Sequence, residues 1–158
     1  MSLNGQVALV TGGAKNLGAE IALQLAPLGV NLALHYNSAK TKEAALKLEA
    51  TLKQQFPSTT VVFYAADLTT GAAVDKLFDD VLKDFGRIDI VVNTIGMVLK
   101  KPISEISEAQ YDRMFALVPP MLCSGRKTYI DSVIAVSIQR LHSSSLKPGL
   151  FTLTKVES

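Results

Sequence analysis

The sequence predicts an α/β protein with a doubly wound parallel sheet, and three observations support this prediction. Apolar strand patterns alternate with amphipathic helix patterns through the first two thirds of the chain, joined by short connections. A glycine-rich loop follows the first strand. Small or polar residues also follow the later strands, at the edge where sheets of this kind bind ligands.

The chain opens with a strand, a helix and a second strand. The first strand begins at Val7 and runs into a glycine loop that ends at Gly18. The helix after this loop has apolar residues at helical spacing, and Pro27 with Gly29 ends it. Residues 30–36 form the second predicted strand.

Two more helices and two more strands follow. Ser38 is the predicted N-cap of a helix that reaches about Phe56, and residues 61–64 form the third strand. Residues 88–93 form the fourth strand, whose apolar run is typical of a strand that is buried on both faces. The helix between them, which Gly86 ends, has an apolar stripe formed by Val74, Leu77, Phe78, Val81, Leu82 and Phe85.

The chain changes character after residue 117, which divides it into region 1–117 and a divergent tail, 118–158, of the same domain. A capping box at Ser107 and Gln110 predicts a fourth helix, which Pro119 and Pro120 end. The tail is richer in serine, has no long helical stripe and offers one more strand, 132–137. Five strands are predicted where such sheets have about six, so we expect a sheet that is incomplete at its C-terminal side.

Composition excludes several classes of protein. The 158 residues are 48% hydrophobic and carry a net charge of +2, which gives no basic patch for nucleic acid. Cys123 is the single cysteine, so no internal disulfide and no thiolate metal cluster is expected. The first strand begins almost at residue 1, which leaves no room for a signal peptide, and no apolar run is long enough to cross a membrane. We therefore expect a cytoplasmic protein without a metal.

The glycine loop has the composition of a site for a dinucleotide pyrophosphate. A strand, a glycine loop and a helix together present free N–H groups and the positive helix end to phosphates. Gly12 allows the backbone to approach a ligand, and Gly18 allows the helix to pack closely on the strand. Asn16 stands where a third glycine is common, and asparagine tolerates the left-handed backbone that this position requires.

These motifs together resemble the short-chain dehydrogenase/reductase family over about residues 5–117. Residues 11–18 resemble its TGxxxGxG loop, Asp67 with Leu68 resembles its adenine-contacting segment, and residues 93–96 resemble its NNAG element with two positions altered. The resemblance implies a Rossmann-like fold and a nicotinamide cofactor. It implies that the cofactor-binding residues are Gly12, Lys15, Asn16, Leu17, Gly18, Asn37, Ser38, Asp67, Leu68, Asn93 and Gly96.

Each of these assignments has a purely structural alternative. Lys15 is also consistent with a solvated loop lysine, and Asp67 with a turn former or the N-cap of the helix that begins near Thr70. Asn93 is also consistent with a residue that ties one strand end to its neighbour. His35 and Tyr36 are more typical of packing at a strand end than of ligand contacts.

The end of the second strand favours NADP(H) over NAD(H). An acidic residue there would bind the ribose 2′-hydroxyl and repel a 2′-phosphate. This chain has His35, Tyr36, Asn37 and Ser38 at that place, with no carboxylate and with two lysines, Lys15 and Lys40, nearby.

The catalytic end matches the family less well. In the family, a tyrosine supplies the proton, a lysine four residues later tunes it, and a serine orients the substrate oxygen. The best match here places Lys155 correctly, but Phe151 occupies the tyrosine position and has no hydroxyl to act as an acid. Ser137 is the candidate substrate serine, and Val118 stands where a further catalytic asparagine is usual.

Three interpretations follow. The first is an NADP(H)-dependent oxidoreductase that reduces a carbonyl or oxidises a secondary alcohol of unspecified identity. The second is a non-catalytic dinucleotide-binding protein or an inactive truncated or frame-shifted product, prone to self-association through an uncovered sheet edge. The third, a methyltransferase fold that binds S-adenosylmethionine, usually has an acidic residue at the end of the second strand, and Asn37 argues against it.

Overall fold

A single sheet organises the part of the chain that the computed structural model describes, residues 3–96, 101–116, 134–137 and 154–155. For residues 103, 113–116, 134–137 and 154–155 only the backbone is described. The order of strands is β3-β2-β1-β4-β5-β6, with β1 to β5 parallel. The strands are β1 Val7–Thr11, β2 Asn31–Tyr36, β3 Val61–Ala65, β4 Ile90–Asn93, β5 Ile134–Ser137 and β6 Thr154–Lys155. The predicted doubly wound parallel sheet is confirmed.

The helices lie close to their predicted positions. The predicted ends at Gly29 and Gly86 are confirmed, since both glycines have a left-handed backbone, with φ of 77° and 74°. A short 3₁₀ turn, Ala26–Leu28, continues the first helix, and a second such turn covers Ile103–Glu105. The helices are α1 Asn16–Leu25, α2 Ala39–Gln55, α3 Gly71–Phe85 and α4 Glu108–Ala116.

Polar side chains start the helices as the sequence predicts, with one exception. The capping box before α4 is confirmed: Gln110 N donates to Ser107 Oγ at 3.3 Å, and Ser107 N donates to Gln110 Oε1 at 3.2 Å. The N-cap of α3 is Thr70, whose hydroxyl accepts from Ala73 N at 3.3 Å. The alternative in which Asp67 caps this helix is therefore wrong.

The core is divided into two layers, one on each face of the sheet. In β1, Ala8 and Val10 face one layer, whereas Val7 and Leu9 face the other. The first layer packs under α1 and α2, and the second packs under α3. Because both faces are covered, every residue of β1 and β4 is buried, and all of them are apolar except Thr11 and Asn93 at the carboxyl ends.

The number of strands differs from the prediction. Five were expected, but Thr154–Lys155 forms a sixth, two-residue strand that is antiparallel to β5. Thr154 pairs with Ala135, and Lys155 pairs with Ile134. A two-residue strand has no periodicity of its own, and its position depends only on pairing with a distant neighbour.

A carboxylate fixes the amino end of the sheet. Asp89 Oδ2 accepts from Val7 N at 2.8 Å, and the Arg87 guanidinium binds the same carboxylate, with Nε to Oδ2 at 2.9 Å. Burial raises the pKa of Asp89, but the hydrogen bonds and charge of Arg87 and the amide of Val7 outweigh it, so the pKa lies below its usual value. This pair lies at the opposite end of the sheet from the cleft described next.

Candidate functional site

A cleft of about 450 Å³ opens at the carboxyl ends of β1, β2 and β4. This is the edge of a doubly wound sheet where ligands bind, and its volume is within the range of small-molecule pockets. Eight of the residues predicted for the cofactor line it: Gly12, Lys15, Asn16, Leu17, Gly18, Asn37, Ser38 and Gly96.

The glycine loop has the backbone that its sequence predicts. Gly12 has φ of 70° and Asn16 has φ of 51°, so asparagine does adopt the left-handed conformation expected of it. A Cβ on Gly12 would lie 2.7 Å from Thr94 Oγ1. A Cβ on Gly18 would clash with the carbonyl oxygen of Gly12 and lie 2.8 Å from the Gly13 Cα. Gly18 therefore does allow a close approach of α1, but to the loop that follows β1 rather than to the strand itself.

Hydrogen bonds join the ends of β1 and β4 below the cleft. Thr11 Oγ1 donates to Asn93 Oδ1 at 2.7 Å, and Asn93 Oδ1 also accepts from Ile95 N at 3.2 Å. Thr94 Oγ1 donates to the Thr11 carbonyl at 2.6 Å. Asn93 is buried and is not among the residues that line the cleft, so its described contacts match the alternative in which it ties one strand to the next.

The segment after β3 lies beside the lining residues. Asp67 is exposed, and its Oδ1 accepts from Thr69 N at 3.3 Å, which is the geometry of a turn-forming aspartate. Leu68 is buried in the layer that packs under α3. Neither residue is among those that line the cleft.

His35, at the carboxyl end of β2, is a lining residue that the prediction assigned to packing. It is 1% exposed, yet its ring makes two polar contacts: Nδ1 with the N–H of Gly12 at 3.3 Å and Nε2 with the Ala66 carbonyl at 2.9 Å. Burial lowers the pKa of His35, while the Ala66 carbonyl and the charge of Asp67 raise it; burial is the largest effect, so the ring is neutral near pH 7.

Five further lining residues are not among those that the sequence assigns to the cofactor: Ala14, Tyr36, Thr41, Thr94 and Ile95. Tyr36 packs against Phe63, with ring centroids 6.5 Å apart. Thr41 Oγ1 donates to the Ser38 carbonyl at 2.8 Å and accepts from Ser38 N at 3.3 Å, which fixes Ser38 at the start of α2. A signal for Thr41 was present in the sequence, since it stands three residues after a predicted N-cap, where capping-box partners lie.

The electrostatic character of the cleft is set by one lysine. Lys15 is exposed and is the single cationic side chain among the described lining residues, and no carboxylate is found among them. Lys40 lies on α2, outside the lining. Leu17, in the first turn of α1, is 42% exposed and lines the cleft.

The predicted catalytic residues do not come together on the described backbone. Ser137 ends β5 directly beside Asn93. Lys155 pairs with Ile134 at the other end of β5. Ile134 and Ser137 are three residue steps apart along the strand, which is about 10 Å. Phe151 and Val118 lie outside the described residues.

Metal and membrane features were searched for in the same described ranges. No group of three His, Cys, Asp or Glu side chains there could hold a metal ion. No helix within those ranges is long and apolar enough to cross a membrane.

Comparison with known proteins identifies the family. The family model for short chain dehydrogenases matches residues 6–123. The chain belongs to this family. It is 41% identical over 116 residues to the hydroxynaphthalene reductase-like protein Arp2 of Metarhizium anisopliae. The aligned segment covers 73% of this chain and 42% of that relative. The chain thus spans about two fifths of the length of the curated relative.

Solved structures of the family share the fold. A dehydrogenase from Burkholderia cenocepacia with bound NADP is 51% identical, with a TM-score of 0.68 over 73% of this chain and 43% of that one. A blue fluorescent protein from a metagenomic library, solved in complex with NADPH, is 28% identical, with a TM-score of 0.75 over 85% of this chain and 56% of that one.

Proposed function

We propose that the cleft binds NADP(H) and that the chain provides the cofactor-binding part of an oxidoreductase acting on a carbonyl or a secondary alcohol. The observation that carries this proposal is the glycine loop. Gly12 and Asn16 turn it with a left-handed backbone, and Gly18 holds the amino end of α1 against it. The free N–H groups and positive dipole of that helix end suit a pyrophosphate.

The preference for a 2′-phosphate is supported by the end of β2. Asn37 and Ser38 lie in the cleft with the Lys15 ammonium, and no described lining residue is acidic. Such a site has no charge that repels a phosphate and one charge that attracts it. The family members named above that were solved with NADP or NADPH support the same choice.

Each residue has a separate part in this proposal. The loop would hold the pyrophosphate, and Lys15 with Asn37 and Ser38 would hold the 2′-phosphate. Asn93 would act indirectly, by fixing Thr11 and Ile95 below the cleft. A bound nicotinamide would supply the hydride that a carbonyl reduction needs.

The test places a carboxylate where a 2′-phosphate is expected. Asn37→Asp should weaken NADPH binding about tenfold, because like charges a few ångströms apart near a protein surface repel by about 1–2 kcal/mol. NADH has no 2′-phosphate and should bind the variant at least as well as it binds the parent. Nicotinamide fluorescence titration measures both affinities.

A matched control is available on the same strand. Asn31 starts β2, and its Oδ1 accepts from Thr60 N at 3.1 Å, a bond that a carboxylate can also accept. Asn31→Asp therefore adds the same charge at the far end of the strand and should leave the NADPH-to-NADH ratio unchanged. Equal affinity of the parent for both cofactors would refute the preference, and no binding of either would refute the cofactor assignment.

A second candidate is a dinucleotide-binding protein without catalysis. It is favoured by the separation of Ser137 and Lys155 along β5 and by Phe151 at the tyrosine position. Oxidation of NADPH is followed at saturating cofactor with a panel of aldehydes, ketones and quinones. Binding without turnover supports this candidate, whereas turnover in the ordinary range of about 1–10³ s⁻¹ rules it out.

A further inference from the structure

His35 connects the glycine loop, which lines the cleft, with the segment that follows β3. Its ring Nδ1 faces the Gly12 N–H at 3.3 Å, and its backbone carbonyl accepts from Gly13 N at 2.8 Å. Its ring Nε2 lies 2.9 Å from the carbonyl of Ala66, the residue before Asp67. One buried residue thus contacts both the start of the glycine loop and the segment that leaves β3.

The two ring contacts determine the tautomer. The Gly12 N–H can only donate, so Nδ1 must present its lone pair. The Ala66 carbonyl can only accept, so Nε2 must carry the hydrogen. A second proton, on Nδ1, would point at the Gly12 N–H and break that bond. The arrangement therefore requires a neutral ring with its hydrogen on Nε2.

We propose that His35 is a positioning residue: its neutral Nε2–H ring holds Gly12 and Ala66 together and thereby sets the glycine loop for ligand binding. For the identity of the ligand, the inference rests on the proposed function above. For the geometry, it rests only on the contacts of His35. His35 is buried, and it contacts the loop through its ring Nδ1 and through its backbone carbonyl.

The surroundings of the ring give the proposal a pH dependence. From the segment after β3, the negative charge of Asp67 favours the protonated form of the ring. From the loop, Lys15 is the titratable side chain in the shared cleft, and the described residues after β4, 94–96, contribute no titratable side chain. Burial outweighs Asp67 and lowers the pKa of His35, so the ring is protonated only at a pH below its ordinary value of 6.5.

The first experiment uses the full chain without any cofactor. Ring ¹⁵N spectra report the tautomer, and amide hydrogen exchange reports the protection of Gly12 and Gly13. We expect the Nε2–H tautomer and about tenfold faster exchange of these amides in His35→Phe. His35→Asn should restore much of the protection, because its amide oxygen reaches about as far as Nδ1. An Nδ1–H tautomer, or unchanged loop exchange in a folded His35→Phe chain, overturns the proposal.

Thr59→Val is the matched control for loss of a buried hydrogen bond. Thr59 is 8% exposed, precedes β3 at the opposite end of the sheet, and donates from Oγ1 to the Ala26 carbonyl at 3.3 Å. It should lower the unfolding temperature without changing exchange at Gly12. Equal loss of loop protection in Thr59→Val and His35→Phe would mean that His35 supports only general stability, which overturns the positioning role.

The second experiment measures NADP⁺ affinity by calorimetry between pH 7.5 and 5.5. The free 2′-phosphate titrates identically in both measurements, so the ratio of parent affinity to His35→Asn affinity reports the change at residue 35. We expect this ratio to fall by up to about tenfold as the pH is lowered, because only the parent has a ring to protonate. A constant ratio overturns the proposal. If the parent binds no NADP⁺ at any pH, the cofactor assignment fails, and the cofactor-free experiment still decides the role of His35.

Discussion

Replacing Gly18 with alanine tests the packing on which the cleft depends. The added Cβ would clash with the Gly12 carbonyl oxygen and lie 2.8 Å from both the Gly12 carbonyl carbon and the Gly13 Cα. All three are backbone atoms, which cannot rotate away as the end of a side chain can. The loop and the start of α1 must therefore move apart, and the cleft between them must change shape.

The size of the effect follows from the depth of the overlap. Insertion of one methyl group into a well-packed core usually costs about 1–3 kcal/mol, and a contact with rigid backbone belongs at the upper end of that range. The higher helix propensity of alanine returns at most about 1 kcal/mol. We therefore expect Gly18→Ala to lower the free energy of unfolding by about 2 kcal/mol and NADPH affinity by at least about tenfold.

The assay pairs urea unfolding with NADPH titration and uses Gly71→Ala as the control. Gly71 begins α3, has no left-handed φ, and a Cβ there would meet nothing within 4 Å. This variant gains helix propensity without a clash and should be neutral or slightly stabilising. A Gly18→Ala chain with the stability and NADPH affinity of the parent would refute the argument, because it would show that α1 does not need this close approach.

Two further substitutions test the ties at the two ends of the sheet. Thr11→Val removes the donor to Asn93 Oδ1, which still accepts from the Ile95 amide. The free energy of unfolding measured in urea should therefore fall by about 1 kcal/mol. Thr11→Ser keeps the hydroxyl donor and should keep most of the parent's stability. The lowered pKa of Asp89 means that its stabilisation is present above its ordinary pKa of 3.8 and is lost as the pH falls through the folded-state pKa. Asp89→Asn should therefore flatten the acid limb of stability measured between pH 6 and 2, and an unchanged limb would contradict the assignment.

Local sequence signals were sufficient for the helices, the parallel strands and the glycine loop. The glycine that ends α3 and the capping box that starts α4 lie within a few residues of the helix end that they determine. Such signals can therefore be recognised from the sequence alone. The same holds for Asn16, whose left-handed φ follows from its side chain and its place in the loop. The strand order then follows from alternation, because right-handed crossovers leave few arrangements of such a chain.

Contacts between distant strands could not be predicted in this way. The role of His35 depends on the register that brings it level with Gly12 on one side and Ala66 on the other. A shift of one residue in β2 would turn the ring to the opposite face of the sheet. From sequence alone the residue is one more polar side chain near the end of a strand, for which packing is the reasonable expectation.

Strand direction explains why the catalytic motif and the cofactor motif have different outcomes. In a parallel sheet every strand delivers its last residue to the same edge, and this is why Gly12, Asn37, Gly96 and Ser137 gather near one another although the chain separates them widely. Lys155 lies in the antiparallel strand β6, where it pairs with Ile134 at the start of β5. The four-residue spacing between Phe151 and Lys155 does not show whether the strand that contains Lys155 is parallel or antiparallel, because the spacing in the sequence is the same in both cases. The residues that line the cleft are therefore predictable from local motifs, whereas the position of Lys155 depends on the direction of one two-residue strand.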